Sequence, residues 1–293
     1  MIVSEDAKLK KDIKGKTIGL RAGQFEKAAR FRALHEGSEP LVVGNPFDAG
    51  SARILERLGF LALATSSGGF AGTIGRRDGN VSRDDVLRHA QAIVDAVELP
   101  VSADLENGFG HDPATVAETV RMAAEVGLVG CSIEDATGES GFPIHDVKSA
   151  TARVRAAVAA ARSTGFDFVL TARCECFLRG QPDLEAVIIR LRAYEAAGAD
   201  VLMAPGLPDL EAVRTVCAAV SRPVNFMAGI PRRSFSVSEL AAAGVRRISL
   251  AGSLHRAAMS SVIDAALEVL EIGTFGYVET VIPTRELSEF MKR

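Results

Sequence analysis

The stretch SADLENGFG at residues 102–110 places two carboxylates, Asp104 and Glu106, directly after the run ELPV at 98–101. Side chains at positions i and i+2 of an extended chain share a face, so these two negative charges would lie side by side. Two like charges this close need a positive partner or a shared proton between them. A hard divalent cation meets that need, and the pair therefore predicts a metal site.

Other polar residues also stand at or just past the ends of short apolar runs, which we predict to be buried strands. Three carboxylates in this set, Asp104, Glu106 and Glu134, have no histidine or cysteine cluster near them in the sequence. A ligand set made only of oxygen favours Mg²⁺ or Mn²⁺ over zinc. The full set is Thr65, Ser66, Ser67, Gly68, Gly69, Asp104, Glu106, Glu134, Asp135, Arg173, Glu175 and Asn225.

An anion-binding element accompanies the predicted metal site. The turn at 66–69, SSGG, offers backbone N–H groups without bulky side chains, which suits a carboxylate or a phosphate. Arg173 can bind the same anion through two parallel hydrogen bonds. A metal beside such an element fits a reaction in which an oxyanion develops next to a carboxylate, as in an enolate of pyruvate. The predicted substrate is therefore a small oxo acid.

Taken singly, these residues have simpler structural interpretations. Asp135 and Glu175 could be helix caps or solvated charges. Arg173 could neutralise Glu134 or Glu175, and the segment 66–69 could be an ordinary tight turn. The prediction of an active site depends on their combination at one end of a predicted sheet.

Eight short runs rich in Val, Ile and Leu alternate with segments of helical pattern, and the longer connections follow the runs. Continuous apolar runs are typical of parallel strands buried on both faces. A doubly wound sheet is the competing fold, but GNPFDAG at 44–50 lacks the G-x-G-x-x-G pattern. The prediction is a TIM-type (β/α)8 barrel. Its predicted strands are 41–44, 61–64, 100–104, 129–133, 168–172, 200–204, 223–227 and 247–251.

Helix signals lie between the predicted strands. Ser82, Asp112 and Ser236 stand where N-caps precede helical segments, and apolar spacing predicts a helix over 146–164. Neither end of the chain has the composition of an independent domain. The prediction is a single domain made of a charged leader at 1–38 with a helix near 24–36, the barrel at 39–271, and a helical tail at 272–293.

Composition excludes several classes of protein. Of the 293 residues, 47% are hydrophobic and 24% are charged, as in ordinary soluble proteins, and the net charge of −3 argues against nucleic-acid binding. No apolar run is long enough to span a membrane, and the N-terminus does not have the pattern of a secretory signal, so we expect a cytoplasmic protein. The four cysteines do not form a disulfide or zinc pattern and are expected to be reduced core thiols.

Several of these segments resemble the isocitrate lyase and phosphoenolpyruvate mutase superfamily, from about Phe31 to the tail. The resemblance implies that Asp104 binds Mg²⁺ most directly and that Glu106 and Glu134 act largely through water. It also implies that Ser67, Gly68 and Arg173 hold the carboxylate and oxo group of the substrate, and that Asp78 lies near the reacting group. The motifs are NPFDAGSARILERLGF (45–60), TSSGG (65–69), GRRDGN (75–80), SADLENGFG (102–110), SIED (132–135), TARCECFLRG (171–180) and AGADVLMAPG (197–206).

Departures from the superfamily patterns indicate which reaction this chain carries out. The loop at 135–146 lacks the cysteine that serves as general acid in lyases acting on isocitrate or methylisocitrate. Lys148, the only lysine between Lys27 and Lys292, lies beyond the loop, and Pro205 stands where phosphonomutases have histidine. These departures favour cleavage of a C–C bond over phosphoryl transfer. Glu106 replaces the usual aspartate, so its role as a ligand is the least secure of the three.

The resulting hypothesis is a Mg²⁺-dependent lyase that cleaves a C–C bond of a small oxo or hydroxy diacid, of the oxaloacetate decarboxylase or hydrolase type. A phosphonate mutase or hydrolase is the nearest alternative, and a non-catalytic barrel that binds oxo acids is the second. The resemblance further implies a homodimer or homotetramer that exchanges the last barrel helix, 254–271. The predicted site comprises Asp104, Glu106 and Glu134 for the metal, Ser67, Gly68, Gly69, Arg173 and Asn225 for the substrate, and Arg173 and Asp78 for catalysis.

Overall fold

The computed structural model describes residues 23–292 and contains eight parallel strands in one sheet, together with a small antiparallel hairpin. A parallel bridge between Gly44 and Leu63 joins the two edge strands of the large sheet, so the sheet closes on itself. The strands are β1 Leu41–Val43, β2 Leu63–Ala64, β3 Val101–Asp104, β4 Gly130–Glu134, β5 Ala136–Glu139, β6 Phe142–Ile144, β7 Val169–Arg173, β8 Val201–Met203, β9 Val224–Met227 and β10 Arg247–Ser249.

Helices surround the barrel and connect its strands, so the predicted (β/α)8 barrel is confirmed. The predicted N-caps are also present: Ser82, Asp112 and Ser236 accept hydrogen bonds from backbone N–H groups in the first turns of their helices. The helices are α1 Gln24–Leu34, α2 Ala49–Arg57, α3 Ser67–Thr73, α4 Arg83–Ala96, α5 Pro113–Glu125, α6 Val147–Ser163, α7 Leu184–Ala196, α8 Leu210–Ala219, α9 Val237–Ala242, α10 Ser253–Leu267 and α11 Thr284–Phe290.

Each predicted strand run overlaps an observed strand, with its ends shifted by at most two residues. The hairpin of β5 and β6 was not predicted, because the segment 135–146 has the polar, glycine-containing composition of a loop. The base of the hairpin is buried and its tip, residues 138–142, is mostly exposed. The hairpin therefore stands at the carboxyl end of β4, where an active-site loop of a barrel lies.

Helix α1 covers the amino-terminal end of the barrel, which places the helix predicted near 24–36; residues 1–22 of the predicted leader lie outside the described residues. The Gln24 side chain donates to two carbonyl oxygens of the barrel, those of Ala124 and Leu128, at 2.8 and 3.0 Å. Phe31 is fully buried beneath the strands. A Cβ at Gly130 would come within 3.0 Å of the Phe31 ring and 2.7 Å of a carbonyl oxygen, so only glycine fits there.

Strand register determines which side chains share the interior of the barrel. Arg173 of β7 pairs with Met203 of β8, Met203 with Asn225 of β9, and Asn225 with Arg247 of β10. Residues paired in register lie on the same face of a sheet. Since Arg173 lines the interior cavity described below, the other three side chains also point inward.

The carboxyl-terminal part of the described chain exposes much apolar surface. Helix α10 has no buried residue, and Val262, Ile263 and Leu267 are between 44% and 58% exposed. The tail beyond it returns to α2, where the Arg53 and Arg57 side chains donate to the carbonyl oxygens of residues 291 and 292. No helix within residues 23–292 has both the length and the apolar character needed to cross a membrane.

Candidate active site

A cavity of about 360 Å³ opens at the carboxyl ends of the barrel strands. Seven predicted site residues line it, namely Ser67, Gly68, Gly69, Asp78, Asp104, Arg173 and Asn225. The two other predicted metal ligands, Glu106 and Glu134, are not on its wall but lie next to residues that are. The structure therefore brings the predicted residues together at one end of the barrel.

Asp104 is the central acid of the rim. Its Oδ2 accepts a hydrogen bond from the Ser67 hydroxyl at 3.1 Å and lies 3.6 Å from Nη1 of Arg173. Its Oδ1 accepts from the Ser132 hydroxyl at 3.5 Å and from the backbone N–H of Glu106 at 3.1 Å. Four donors from four chain segments thus fix the carboxylate at the cavity wall.

Glu106 reaches Asp104 by a turn and not by an extended chain. Strand β3 ends at Asp104, and Glu106 has a φ of 49°, in the left-handed region that non-glycine residues seldom adopt. The prediction that Asp104 and Glu106 share one face of an extended strand is therefore wrong, although the two acids are neighbours. Burial, with Asp104 and Asp78 nearby, raises the pKa of Glu106 to about 7, and its buried Oε1 has no hydrogen-bond partner within the described chain.

Glu134 lies at the end of β4, paired in register with Arg173. Its Oε2 is 3.6 Å from Arg173 Nε, and its Oε1 is 3.5 Å from Arg179 Nη2. Burial raises the pKa of Glu134 to about 8, and Arg173 opposes this shift. Arg173 also contacts Glu175 at 2.5 Å, so the structural interpretation, in which Arg173 neutralises both glutamates, describes part of its role.

The acids fit a hard divalent cation by their chemistry, since all of them offer oxygen and Glu106 keeps an unpaired buried oxygen. Among residues 23–292, no three acidic, histidine or cysteine side chains already form a closed metal-binding group. Mg²⁺ commonly keeps several of its waters and uses only one or two protein carboxylates. The arrangement is therefore compatible with Asp104 as the direct ligand, and the roles of Glu106 and Glu134 through water remain predictions.

The predicted anion-binding turn is the first turn of helix α3. Ser66 caps that helix, and its hydroxyl accepts from the Gly69 N–H at 3.3 Å, so this amide is already paired. The side chain of Asp78 lies against Gly68, where an added Cβ would come within 3.3 Å of its carboxyl group. The exposed acid Asp78 thus borders the cavity next to the segment predicted to bind the substrate carboxylate.

Eight polar residues at the cavity were not predicted as site residues: Asn45, Ser102, Ser132, Thr171, Arg247, Ser249, His255 and Arg256. Asn45 joins two strands, since it donates to the carbonyl oxygens of residues 64 and 65 and accepts from the N–H of Leu250. The ring of His255 lies against Gly72, where an added Cβ would come within 2.4 Å of it. Arg247 stands at the amino-terminal start of its predicted strand, and His255 and Arg256 lie in the helix beyond it, so a pattern based on the carboxyl ends of strands could not find them.

Asp135 has a structural role, as expected for this residue taken singly. It is buried, and its carboxylate accepts from the Glu175 N–H at 2.8 Å, the Tyr194 hydroxyl at 2.6 Å and Arg190 Nη1 at 3.2 Å. These bonds connect the base of the hairpin loop to the segment after β7 and to helix α7. Asp135 therefore supports the site from behind the cavity wall.

Replacing Asp135 with alanine is expected to destabilise the fold by about 3–5 kcal/mol, because it leaves the Arg190 charge buried without its partner. Urea unfolding measures the change. Asp183→Ala serves as the control, because Asp183 caps helix α7 from an exposed position and its loss costs about 1 kcal/mol. Equal losses of unfolding free energy in Asp135→Ala and Asp183→Ala would contradict the structural role assigned to Asp135.

Metal binding and stability are expected to depend on pH in opposite directions. The folded state holds the protons of Glu106 and Glu134 up to about pH 7 and 8, whereas the unfolded chain releases them near pH 4.5. Across this window the folded state binds more protons, so the stability of the metal-free protein falls as pH rises. Mg²⁺ requires the carboxylates, so it should raise the melting temperature more at pH 8 than at pH 6.5.

Thermal scans with Mg²⁺ or with a chelator test this expectation. Three histidines with lowered pKa values, the buried His35 and His145 and the half-buried His89, act in the opposite direction below about pH 6.5, so the window above that pH is the informative one. The Glu106→Gln/Glu134→Gln variant should lose both trends. A melting temperature that rises with pH in the chelated wild type would show that these acids are not protonated.

Comparison with known proteins agrees with this geometry. The family model described as phosphoenolpyruvate phosphomutase matches residues 31–270. The 2-methylisocitrate lyase of Escherichia coli K12 is 34% identical over 202 residues, which cover 66% of this chain and 67% of the lyase. A Burkholderia cenocepacia J2315 protein, provisionally described as a lyase or mutase, is 48% identical with a TM-score of 0.90, over 92% of this chain and 97% of that one.

A third relative was solved with a product bound. Oxaloacetate acetylhydrolase in complex with oxalate is 28% identical, with a TM-score of 0.81 over 91% of this chain and 94% of that chain. The fold and the acidic rim thus define a barrel of the isocitrate lyase and phosphoenolpyruvate mutase superfamily, whose members are C–C lyases or mutases. This chain belongs to the phosphoenolpyruvate mutase family.

Proposed function

We propose that the protein is a Mg²⁺-dependent lyase that cleaves a C–C bond of a small 2-oxo or 2-hydroxy diacid, as an oxaloacetate decarboxylase or hydrolase does. The main support for the proposal is that Arg173 lies between Asp104 and Glu134 at the edge of the cavity. One cation-binding face and one anion-binding side chain meet there. The same end of the barrel holds the substrate in (β/α)8 enzymes.

The chain's own residues bind and orient the substrate. The guanidinium group of Arg173 can turn from the acids toward a substrate carboxylate and bind it through two hydrogen bonds. Ser67 and Gly68, in the first turn of helix α3, border the same space. When bound, Mg²⁺ would be held by Asp104, with Glu106 and Glu134 reaching it through water, and would supply positive charge that stabilises an enolate.

Proton transfer is assigned to the exposed side of the cavity. Cleavage leaves negative charge on the fragment that keeps the oxo group, and a proton must be delivered to it. Asp78 borders the cavity beside Gly68 and is open to solvent, so it can exchange protons with water between turnovers. We therefore assign general acid and base duty to Asp78.

Cleavage of a C–C bond is favoured over cleavage of a P–C bond by the residues near the site. The hairpin loop 135–146 has no lysine, and among residues 23–292 no lysine lines the cavity. Pro205 follows β8, where phosphonomutases have a histidine. A phosphoryl group in transfer needs positive side chains around its oxygens. Arg173, Arg247 and Arg256 supply positive charge at the cavity, so the preference for C–C cleavage rests on the lysine and the histidine that phosphonomutases carry and that this site lacks among residues 23–292.

Incubation of the protein and Mg²⁺ with oxaloacetate, 2-hydroxy diacids and phosphonopyruvate tests the proposal, with products identified by proton and phosphorus NMR. Decarboxylation consumes one proton and converts oxaloacetate to pyruvate and CO₂, whereas hydrolysis adds water and yields oxalate and acetate. Either outcome above the rate of an Asp104→Ala control supports the proposal. Phosphate release favours the phosphonate alternative, and stabilisation by oxalate without turnover favours a non-catalytic oxo-acid-binding barrel.

We also propose that the protein is a homo-oligomer in which α10 packs against a second copy. The support is the apolar surface of α10, including Val262 and Ile263, which no residue of the described chain covers. Light scattering of the wild type should give a dimer or tetramer mass. A double Val262→Asp/Ile263→Asp variant should be smaller, and an unchanged mass would contradict this assembly.

A further inference from the structure

Arg247 is a buried cation without an acidic partner in the described chain. It lies on β10 inside the barrel and is only 5% exposed. Its Nη1 donates to the Thr171 hydroxyl at 3.2 Å, and its guanidinium carbon lies 5.5 Å from the centre of the Phe31 ring. Its Nε has no hydrogen-bond partner, and no carboxylate of residues 23–292 lies within 4.0 Å of it.

Such an arrangement is unfavourable for folding alone. Burial lowers the pKa of Arg247 to about 10, which leaves the side chain charged at neutral pH. One neutral hydrogen bond and one aromatic contact recover only a part of what the charge loses on leaving water. A methionine or leucine would fill the same space without that cost. The residue therefore points to an anion that residues 23–292 do not supply.

The cavity gives such an anion access to Arg247. Arg247 lines the same cavity as Arg173, together with Asn225 of the neighbouring strand β9 and Ser249 of β10 itself. Asn225 donates to the Ser249 hydroxyl at 3.0 Å, but its Oδ1 is buried and has no partner. Below the acidic rim, the part of the barrel formed by residues 23–292 thus holds a cation without an acidic partner, Arg247, and a hydrogen-bond acceptor without a donor, the Asn225 Oδ1.

The offset between Thr171 and Arg173 along β7 indicates the length of the ligand. Thr171, which contacts Arg247, stands two residues before Arg173 on β7. Two residues of strand correspond to roughly 6–7 Å. A four- or five-carbon diacid has the length to place one carboxylate near Arg173 and the other near Arg247.

We propose that Arg247 binds the second carboxylate of the substrate, with the Asn225 Oδ1 accepting from a substrate hydroxyl where one is present. The inference rests on the proposed function and adds the orientation of its diacid: the substrate enters with its reacting end at the rim and its far carboxylate at the barrel floor. Arg247 is then the residue that selects diacids over monoacids.

Calorimetry with Mg²⁺ and two non-reacting probes tests this assignment. Oxalate carries only the end that binds at the rim, whereas 3,3-difluorooxaloacetate adds a remote carboxylate. Arg247→Met should weaken binding of the fluorinated diacid about 10- to 100-fold, the range expected for loss of a charge-assisted hydrogen bond, and Arg247→Lys should weaken it less. Oxalate binding should change less than about threefold in both variants.

Arg246→Met is the matched control, because it removes the adjacent arginine, whose Nη1 bonds only to a backbone carbonyl at 3.5 Å. It should leave both affinities unchanged. Equal effects of Arg247→Met on the two probes, or no effect on either, would overturn the inference while leaving the proposed function intact. Failure of the wild type to bind either probe with Mg²⁺ would overturn the proposed function as well.

Thermal unfolding without ligand separates this role from a structural one. If Arg247 serves to bind a ligand and has no acidic partner among residues 23–292, its replacement removes a buried charge at no cost to the free protein. We therefore expect Arg247→Met to melt at the same or a higher temperature than the wild type. The same role also predicts that the fluorinated diacid no longer stabilises the variant beyond what oxalate does. A lower melting temperature combined with full stabilisation by the diacid would assign Arg247 to packing against Phe31 and overturn the inference.

Discussion

Replacing Asp104 with alanine is expected to abolish Mg²⁺-dependent turnover, with a fall in kcat/KM of at least about a thousandfold and no loss of the fold. The reason is the central position of this carboxylate, which four donors hold at the cavity wall next to Arg173. Asp104→Asn keeps the shape of the side chain but removes its charge, and it should be almost as inactive. Steady-state assays on the cleaved substrate measure both variants.

Asp84→Ala is a suitable control for Asp104, because Asp84 is an exposed acid in the first turn of helix α4. It should retain nearly full activity. Circular dichroism and the melting temperature show whether the Asp104 variants are folded. Retained turnover with full dependence on Mg²⁺ in Asp104→Ala would contradict the assignment of the metal site.

Arg173→Lys is expected to lower kcat/KM by about 10²- to 10³-fold. Lysine keeps the positive charge, so the buried Glu175 retains a cationic neighbour and the fold is preserved. It loses the planar fork that binds a carboxylate through two hydrogen bonds. The loss should therefore appear in substrate binding and in the chemical step, whereas the affinity for Mg²⁺ alone should change little.

Arg179→Lys provides the comparison for Arg173. Arg179 contacts the same two glutamates, Glu134 at 3.5 Å and Glu175 at 3.6 Å, but it is 43% exposed and does not line the cavity. Its replacement should lower kcat/KM less than about threefold, as exposed ion pairs contribute little. A comparable loss in both variants would mean that Arg173 acts only by neutralising the glutamates.

The barrel could be predicted because its signals are local. Continuous apolar runs mark strands buried on both faces, and caps such as Ser82 and Ser236 mark helix starts. The hairpin of β5 and β6 could not be predicted in this way, because its sequence is polar and its pairing is completed by contacts to other segments. One such contact is the bond from the Asn107 side chain to the Thr137 carbonyl.

The site was predictable where position along a strand determines position in space. Asp104, Glu134 and Arg173 each end a parallel strand, and the ends of parallel strands converge. Glu106 was predicted as a neighbour of Asp104 for an incorrect reason, because the left-handed turn at that residue has no signal in a single sequence. Arg247 was missed because a charged residue within a strand is recognised as internal only once the register is known.

Burial explains both the raised pKa values of the acids at the site and their pairing with Arg173. The pKa values of Glu106 and Glu134 are raised because they lie away from water, and Arg173 compensates only a part of this. A divalent cation at the rim would stabilise these acids in the charged form, and a substrate anion would then compete for Arg173. In the metal-free state, Arg173 is thus paired with the acids of the rim. Binding of the cation and the substrate must replace these ion pairs.

The central claim is that a divalent cation binds beside Asp104 and that a small oxo acid binds next to it. Crystals grown with Mn²⁺ and oxalate test this most directly, because the anomalous signal of manganese locates the ion without reference to the protein phases. The account predicts an anomalous peak at the Asp104 carboxylate, with oxalate between it and Arg173. An empty rim, with Arg173 still paired to Asp104 and Glu134, would contradict it.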